Sequence, residues 1–199
     1  MTGNEICEKA IKLIESGSYV YWYGGKGEKC TTDLLNRLAA LYPSVYNAAY
    51  KKKCRQDIKS GKNCIDCSGL VCKVYGWPAM GTWGIFGYKG VKRVGYPLNG
   101  SILWRSGHCG IYFNGIVLEA RGKDYGLTKT RKYKSSDWSC VLNWDGIQYG
   151  KTFDVVKVAK EVISGKWGNG EKRVNSLKNS GYSEDDIKRI QKKVNELLK

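Results

Sequence analysis

The sequence predicts an α+β fold that ends in a small three-helix bundle, and three observations carry that reading. Apolar residues recur at helical spacing in several stretches before residue 76. The segment from Ile102 to about Trp144 breaks into short apolar runs punctuated by Gly, Asn and Asp, as strands do. The composition then changes near residue 150, so two domains are expected, over 1–150 and 151–199.

Residues 4–16 set Ile6, Ala10, Leu13 and Ile14 at helical spacing, and Ser16-Gly17-Ser18 ends the run. Tyr19-Val20-Tyr21-Trp22-Tyr23 is β-prone and runs into Gly24-Gly25. A helix around Leu34, Leu35, Leu38 and Leu41 follows, broken at Tyr42-Pro43, and a basic helix is expected over 44–59. Asp66 is placed to cap a helix from Cys67 to Tyr75, which Gly76-Trp77-Pro78 stops. Asn114-Gly115, set between two apolar runs, signals a two-residue type I′ hairpin. The tail holds three helical stretches, 153–164, 169–179 and 183–198, with Gly165 and Gly181 between them and Ser183 with Asp186 as a capping box. Each carries one apolar stripe, the pattern of a three-helix bundle.

Thirty-four Lys and Arg against eighteen Asp and Glu give a net charge of +16, so a polyanionic partner is expected. Residues 152–199 hold eleven of the basic residues and seven of the acids, so most of the excess lies in the first 151 residues. Nucleic acid, an anionic membrane and an anionic cell wall are the candidate classes. No nucleic-acid motif is present and the basic residues are scattered, which argues against nucleic acid. No stretch reaches the roughly 18 apolar residues of a membrane span, so membrane insertion is not expected. Tyr and Trp, fourteen and seven of them, offer flat apolar faces with polar tips that suit sugar rings. The start, Met1 to Glu5, leads into an amphipathic segment and does not read as a secretion signal. Eight cysteines suggest buried thiols, because no second C-x-x-C joins Cys64-x-x-Cys67 in a zinc set. No metal and no cofactor is expected.

The chemistry starts from the only histidine, His108, since a base working near neutral pH is most readily an imidazole. The type I′ turn pairs 113 with 116, 112 with 117, 110 with 119 and 108 with 121, which sets Glu119 diagonally beside His108 on one face. A carboxylate there can hold one ring nitrogen and leave the other as base, the orienting role in a triad. Cys67 follows its helix cap directly, where the helix dipole and free backbone N–H groups favour a thiolate and suit an oxyanion. Small Ser68 and Gly69 come next and leave room for a substrate backbone.

Tyr21-Trp22-Tyr23-Gly24-Gly25, Asp66-Cys67-Ser68-Gly69-Leu70-Val71, Gly107-His108-Cys109-Gly110-Ile111-Tyr112 and Glu119-Ala120 resemble, in order, the sequence blocks of the NlpC/P60 cysteine peptidases. The resemblance implies a papain-like α+β domain that cleaves peptide bonds in peptidoglycan stems. It also implies Cys67 as nucleophile, His108 as base, Glu119 at the third polar position and Tyr21 beside the nucleophile, with Ser68 at the substrate or oxyanion side. That third position is more often His, Asn or Gln in the family. About 40 residues separate Gly25 from Asp66, where many members have a short loop, and this insertion is expected to form a wall or lid over the groove.

The run from Val158 to Arg173, with Leu177, Gly181-Tyr182 and Val194-Asn195-Glu196-Leu197-Leu198, resembles the CW_7 (Cpl-7-type) cell-wall-binding repeat. By that resemblance the tail recognises the muropeptide unit, with Trp167 as an exposed stacking surface and Lys172 or Arg173 gripping a carboxylate. Together the two blocks imply a phage or prophage endolysin. Such a bacteriolytic thiol hydrolase is made in the host cytoplasm and reaches the wall after release. Its partners are bacterial peptidoglycan and anionic wall polymers. The expected activity is a γ-D-glutamyl–diamino-acid endopeptidase, with an N-acetylmuramoyl-L-alanine amidase or a non-catalytic wall-binding protein as alternatives.

Overall fold

The computed structural model describes residues 1–150, 153–180, 182 and 184–198, and the architecture is mixed α and β with two sheets. Helix α1 (Gly3–Glu15) buries Ile6, Cys7 and Ala10. Strands β1 (Tyr19–Tyr21), β2 (Lys26–Lys29) and β3 (Asn63–Ile65) form a small sheet in the order β1-β3-β2, with β1 parallel and β2 antiparallel to β3. β2 and β3 escape detection in the sequence because they are only three or four residues long, and β2 is polar throughout.

Between β2 and β3 the chain leaves the sheet to form α2 (Thr32–Leu41) and α3 (Ala48–Lys59). The two helices close a core of their own, in which Leu34, Leu35, Leu38, Tyr46 and Cys54 meet Trp22 and Cys64. The excursion departs and returns at one point, where Cys30 N–H donates to the Lys62 carbonyl at 2.9 Å. α3 is fastened further away as well. Asp57 accepts from Trp22 Nε1 at 2.7 Å and pairs with Lys123, and Lys53 pairs with Asp124. The insertion expected to form a wall or lid is thus packed onto the body of the chain through α3.

Helix α4 (Cys67–Tyr75) is buried along almost its whole length. It lies so close to the β1–β2 turn that a Cβ at Gly69 would stand 2.7 Å from the Gly25 carbonyl oxygen and 2.9 Å from Ile65. The room expected there for a substrate backbone is therefore filled by Gly25. A short helix, α5 (Thr82–Phe86), follows.

The larger sheet comprises β4 (Val91–Val94), β5 (Ile102–Arg105), β6 (His108–Phe113), β7 (Ile116–Gly122), β8 (Gly126–Lys132) and β9 (Cys140–Trp144). It is antiparallel throughout, in the order β4-β9-β5-β6-β7-β8. Ile102, Ile111, Leu118 and Leu142 on one face join Ile6, Leu70 and Val71 of α1 and α4 in the main core. Leu103, Tyr112, Val117 and Val141 on the other face gather under Trp138. Burying each large apolar side chain is worth about 1.5–3 kcal/mol, so a one-residue slip that exchanged the two faces would be heavily penalised. The β6–β7 turn has Asn114 at φ 45° and Gly115 at φ 82°, as a type I′ turn requires. Phe113 pairs with Ile116, Tyr112 with Val117 and Ile111 with Leu118, which is the register expected from the turn.

In the tail, α6 (Val155–Ile163), α7 (Gly170–Asn179) and α8 (Glu184–Leu197) enclose Val158, Ala159, Val162, Leu177, Tyr182, Ile190 and Val194. Asp154 caps α6 by accepting from the N–H groups of Val156 and Lys157. Gly181 and the capping role of Ser183 lie outside the described residues. No helix among the described residues is long and apolar enough to cross a membrane.

Candidate active site

Asp66 organises the start of α4. Its Oδ1 accepts from Gly69 N–H at 2.6 Å and its Oδ2 from Gly24 N–H at 3.1 Å, joining the helix to the β1–β2 turn. The Lys26 ammonium lies 2.8 and 2.6 Å from the two carboxylate oxygens and 2.6 Å from Ser68 Oγ, and the Ser68 hydroxyl donates to Asp66 at 2.9 Å. Ser68 is buried and its hydroxyl is committed to this cluster. Cys67 stands at the first helical position, where N–H groups have no intrahelical acceptor. Asp66 takes the Gly69 N–H, which leaves those of Cys67 and Ser68 at the helix mouth.

The large sheet brings the other half of the site. His108 begins β6, and its Nε2 is 2.7 Å from Glu119 Oε2 on β7. Glu119 is fully buried. Because Nε2 is engaged, Nδ1 is the nitrogen left for the Cys67 thiol, whose proximity raises the imidazole's affinity for a proton. The indole of Trp138 stacks on the imidazole with centroids 5.6 Å apart and planes 20° from parallel.

The electrostatics of the pair follow from these contacts. A hydrogen bond from the buried thiol of Cys109 and a second from His108 carry the Cys67 thiol down to about 5, against burial, which opposes the thiolate. Burial works against a charged His108, yet its hydrogen bonds with Cys67 and Glu119 lift it to about 9. Burial and the donation to Cys67 push the Cys109 thiol well above its usual value, so it remains a donor. Between those limits the site is a thiolate–imidazolium pair.

A cavity of about 250 Å³ opens onto Cys67. Tyr21, Tyr23, Tyr42 and Trp83 supply aromatic walls and Lys26 a cation. Tyr42, at the end of α2, is the insertion's contribution and meets Tyr23 edge to face at 5.0 Å. Among the residues picked from the sequence, Tyr21, Cys67 and Ser68 line this cavity, whereas His108 and Glu119 meet each other outside its lining, next to Gly107. Lys26, Cys109, Arg131, Asp137 and Trp138 also belong to the site and were not picked out. Among the described residues no group of three or more His, Cys, Asp or Glu forms a metal cage.

The tail residues differ from their expected surroundings. Trp167 is only partly exposed: its ring meets Tyr182 edge to face at 5.8 Å and its Nε1 donates to Glu161 at 3.0 Å. An indole beside an apolar ring gains more by packing than by facing water, so the freely exposed stacking surface is not what forms. Arg173 is also engaged, donating to the Gly168 carbonyl, Gln191 and Asn169 at 3.2, 2.8 and 3.2 Å. Lys172 is exposed.

Residues 157–198 match the CW_7 repeat family. The chain is also 56% identical over 40 residues to a protein named lysozyme from Streptococcus phage Cp-7. That match covers 20% of this chain and only 11% of the phage protein's length. No solved structure matches the chain. The two matches support a cell-wall-binding element at the C-terminal end.

Proposed function

We propose that the chain is a thiol peptidoglycan hydrolase of the NlpC/P60 type, organised as a papain-like catalytic domain over 1–150 and a wall-binding domain over 151–199. The observation that carries this reading is a cysteine at a helix start beside an imidazole whose Nε2 meets a buried carboxylate. The CW_7 match supports the wall as the place of action. The bond cut is the γ-D-glutamyl–diamino-acid amide of the stem peptide. As a phage-type endolysin the protein acts on peptidoglycan after release from the host cytoplasm, and its positive charge aids adsorption to anionic wall polymers.

The chemistry proceeds in two halves. The Cys67 thiolate adds to the amide carbonyl carbon, and the N–H groups of Cys67 and Ser68 hold the oxyanion. The carbon–nitrogen bond then breaks as the imidazolium of His108 gives its Nδ1 proton to the leaving amine. Water attacks the thioester, His108 accepts one of its protons, and the carbon–sulfur bond breaks to restore the thiolate–imidazolium pair, while the acid released gives its remaining proton to solvent. Glu119 holds the ring through both halves and neutralises it when charged.

Digestion of purified peptidoglycan by wild type and Cys67→Ala, with mass spectrometry of the fragments, tests this. Fragments from wild type alone, bearing new diamino-acid amino termini, are expected. New N-terminal L-alanine would replace the endopeptidase with an amidase. Failure of the reduced wild-type protein to release anything while it still binds walls would overturn the enzyme reading.

A further inference from the structure

We propose that Arg131 is a positioning residue for this thiol chemistry, holding the Glu119 carboxylate in the orientation that fixes His108. The inference rests on the thiol mechanism above, but not on which amide is cut.

Glu119 has no exposed surface, and a buried carboxylate without a counter-charge is strongly disfavoured. Arg131 Nη1 supplies the counter-charge, 3.2 Å from Oε2 and 3.4 Å from Oε1, so both oxygens are engaged. Oε2 is also the atom that meets His108 Nε2. One carboxylate oxygen is thus held from two sides, by the imidazole on β6 and the guanidinium on β8.

Arg131 is in turn held twice. Its Nη2 donates to Asp137 at 2.7 Å, and its guanidinium lies 5.2 Å from the centroid of the Trp138 indole. Trp138 is the ring that stacks on His108. The four side chains therefore close a circuit: His108 to Glu119 by hydrogen bond, Glu119 to Arg131 by ion pair, Arg131 to Trp138 by cation–π contact, and Trp138 back to His108 by stacking. Rotation of the imidazole would break two contacts of this circuit at once.

The backbone explains why Arg131 can serve. In the β7–β8 ladder Val117 pairs with Arg131, but Glu119 pairs with Thr128, so an irregularity inserts one extra residue in β8. Direct pairing with Val117 sets Arg131 on the face that Val117 shares with Glu119, and the short 3-10 turn Ser135–Asp137 brings Asp137 and Trp138 against the guanidinium. The charged groups facing this centre are His108 and, beyond it, Cys67 and Asp66 on the helix side, with Asp137, Lys134 and Arg105 around the guanidinium and its partner.

The test reads Cys67 reactivity, which needs no substrate. Alkylation of Cys67 by iodoacetamide is followed from pH 4 to 10, with peptide mass spectrometry, in wild type, Arg131→Lys, Arg131→Met and Asp137→Asn. Since His108 is the only histidine, its imidazole NMR signals are followed in the same samples. Expected in Arg131→Met is a roughly tenfold loss of the rate at pH 6, an acid limb moved upward, and a His108 titration moved downward. Arg131→Lys restores part of each, and Asp137→Asn gives a smaller shift in the same direction. Limbs and titration that stay at their wild-type positions in folded Arg131→Met overturn the proposal, even if the melting temperature falls. If Arg131→Met fails to fold, an Asp137→Asn protein with unshifted limbs and an Arg131→Lys protein identical to wild type overturn it equally.

Discussion

His108 Nε2 and Glu119 Oε2 lie 2.7 Å apart, and that carboxylate has no surface open to water. The contact decides which imidazole nitrogen is free, since a ring held at Nε2 can offer only Nδ1 to Cys67. It also sets the charge of the ring, because an imidazolium is held on one side by Glu119 and on the other by the thiolate.

The rate of the thiol reaction should show a plateau between two limbs. The Cys67 thiol is lowered to about 5, so the thiolate is present above that pH and lost as pH falls through it. His108 is raised to about 9, so the imidazolium is present below that pH and lost as pH rises through it. kcat/KM on soluble muropeptides, measured from pH 4 to 10, should therefore be flat across the neutral range. A single rise centred above pH 8 would mean an ordinary thiol and no ion pair.

Glu119→Gln keeps the shape of the side chain but removes its charge and leaves Arg131 without its buried partner. The expected loss in kcat is on the order of 10²-fold, within the range that acid–base positioning supplies. The alkaline limb should move to lower pH, because a hydrogen bond that raises His108 has been weakened. KM should change little. Equal activity and an unmoved limb in Glu119→Gln would remove the carboxylate from the mechanism.

Gly69→Ala should destabilise the protein through packing alone. The added methyl would stand 2.7 Å from the Gly25 carbonyl oxygen, which is itself held by Asp66 N–H at 2.8 Å and cannot easily move. Overpacking of this kind costs about 1–3 kcal/mol. For a chain of this size that lowers the melting temperature by roughly 2–4 °C per kcal/mol. Calorimetry on the folded variant checks it, and an unchanged melting temperature would show that the turn and α4 can separate freely.

In the tail, Trp167→Ala and Lys172→Ala should part company. Trp167 packs on Tyr182 and is tied to Glu161, so its loss should unfold or loosen the bundle at a cost of about 2–4 kcal/mol and reduce wall retention with it. Lys172 is exposed, so its loss should leave the bundle's helicity and melting unchanged while weakening retention on cell walls by a few-fold. Pull-down on purified walls beside circular dichroism of the same proteins makes the comparison. Full retention by Lys172→Ala would exclude that side chain from the binding face.

The parts of this site that could be read from the sequence are those governed by short-range geometry. Asn114-Gly115 fixes the β6–β7 register, and counting outward from it places Glu119 beside His108. Asp66 announces its helix, so Cys67 could be placed at the helix start. Arg131 carries no such local mark, because the β7–β8 ladder has two register shifts, between Ala120 and Gly122 and between Val117 and Glu119, and nothing in the residues announces either. Lys26 lies 40 residues from the carboxylate it holds, and Trp138 reaches His108 from a 3-10 turn, so no local pattern marks either. The packing of Trp167 could not be read either, because flanking residues do not show which apolar neighbour a ring will find. Its neighbour is Tyr182, on the far side of α7.

The junction between Cys30 and Lys62 has a consequence for how such a chain can diversify. β2 and β3 are antiparallel neighbours, so the residues between them leave and rejoin the sheet within one hydrogen bond. The entropic cost of closing such a loop grows only with the logarithm of its length, about 0.6 kcal/mol per doubling. The excursion can therefore change in length at little entropic cost, provided that what replaces α2 and α3 still covers Trp22 and Cys64. Tyr42 sits on that exchangeable segment and also on the rim of the cavity. Chains that share this frame can thus differ in what the cavity admits through this segment, while Cys67 and His108 stay where they are.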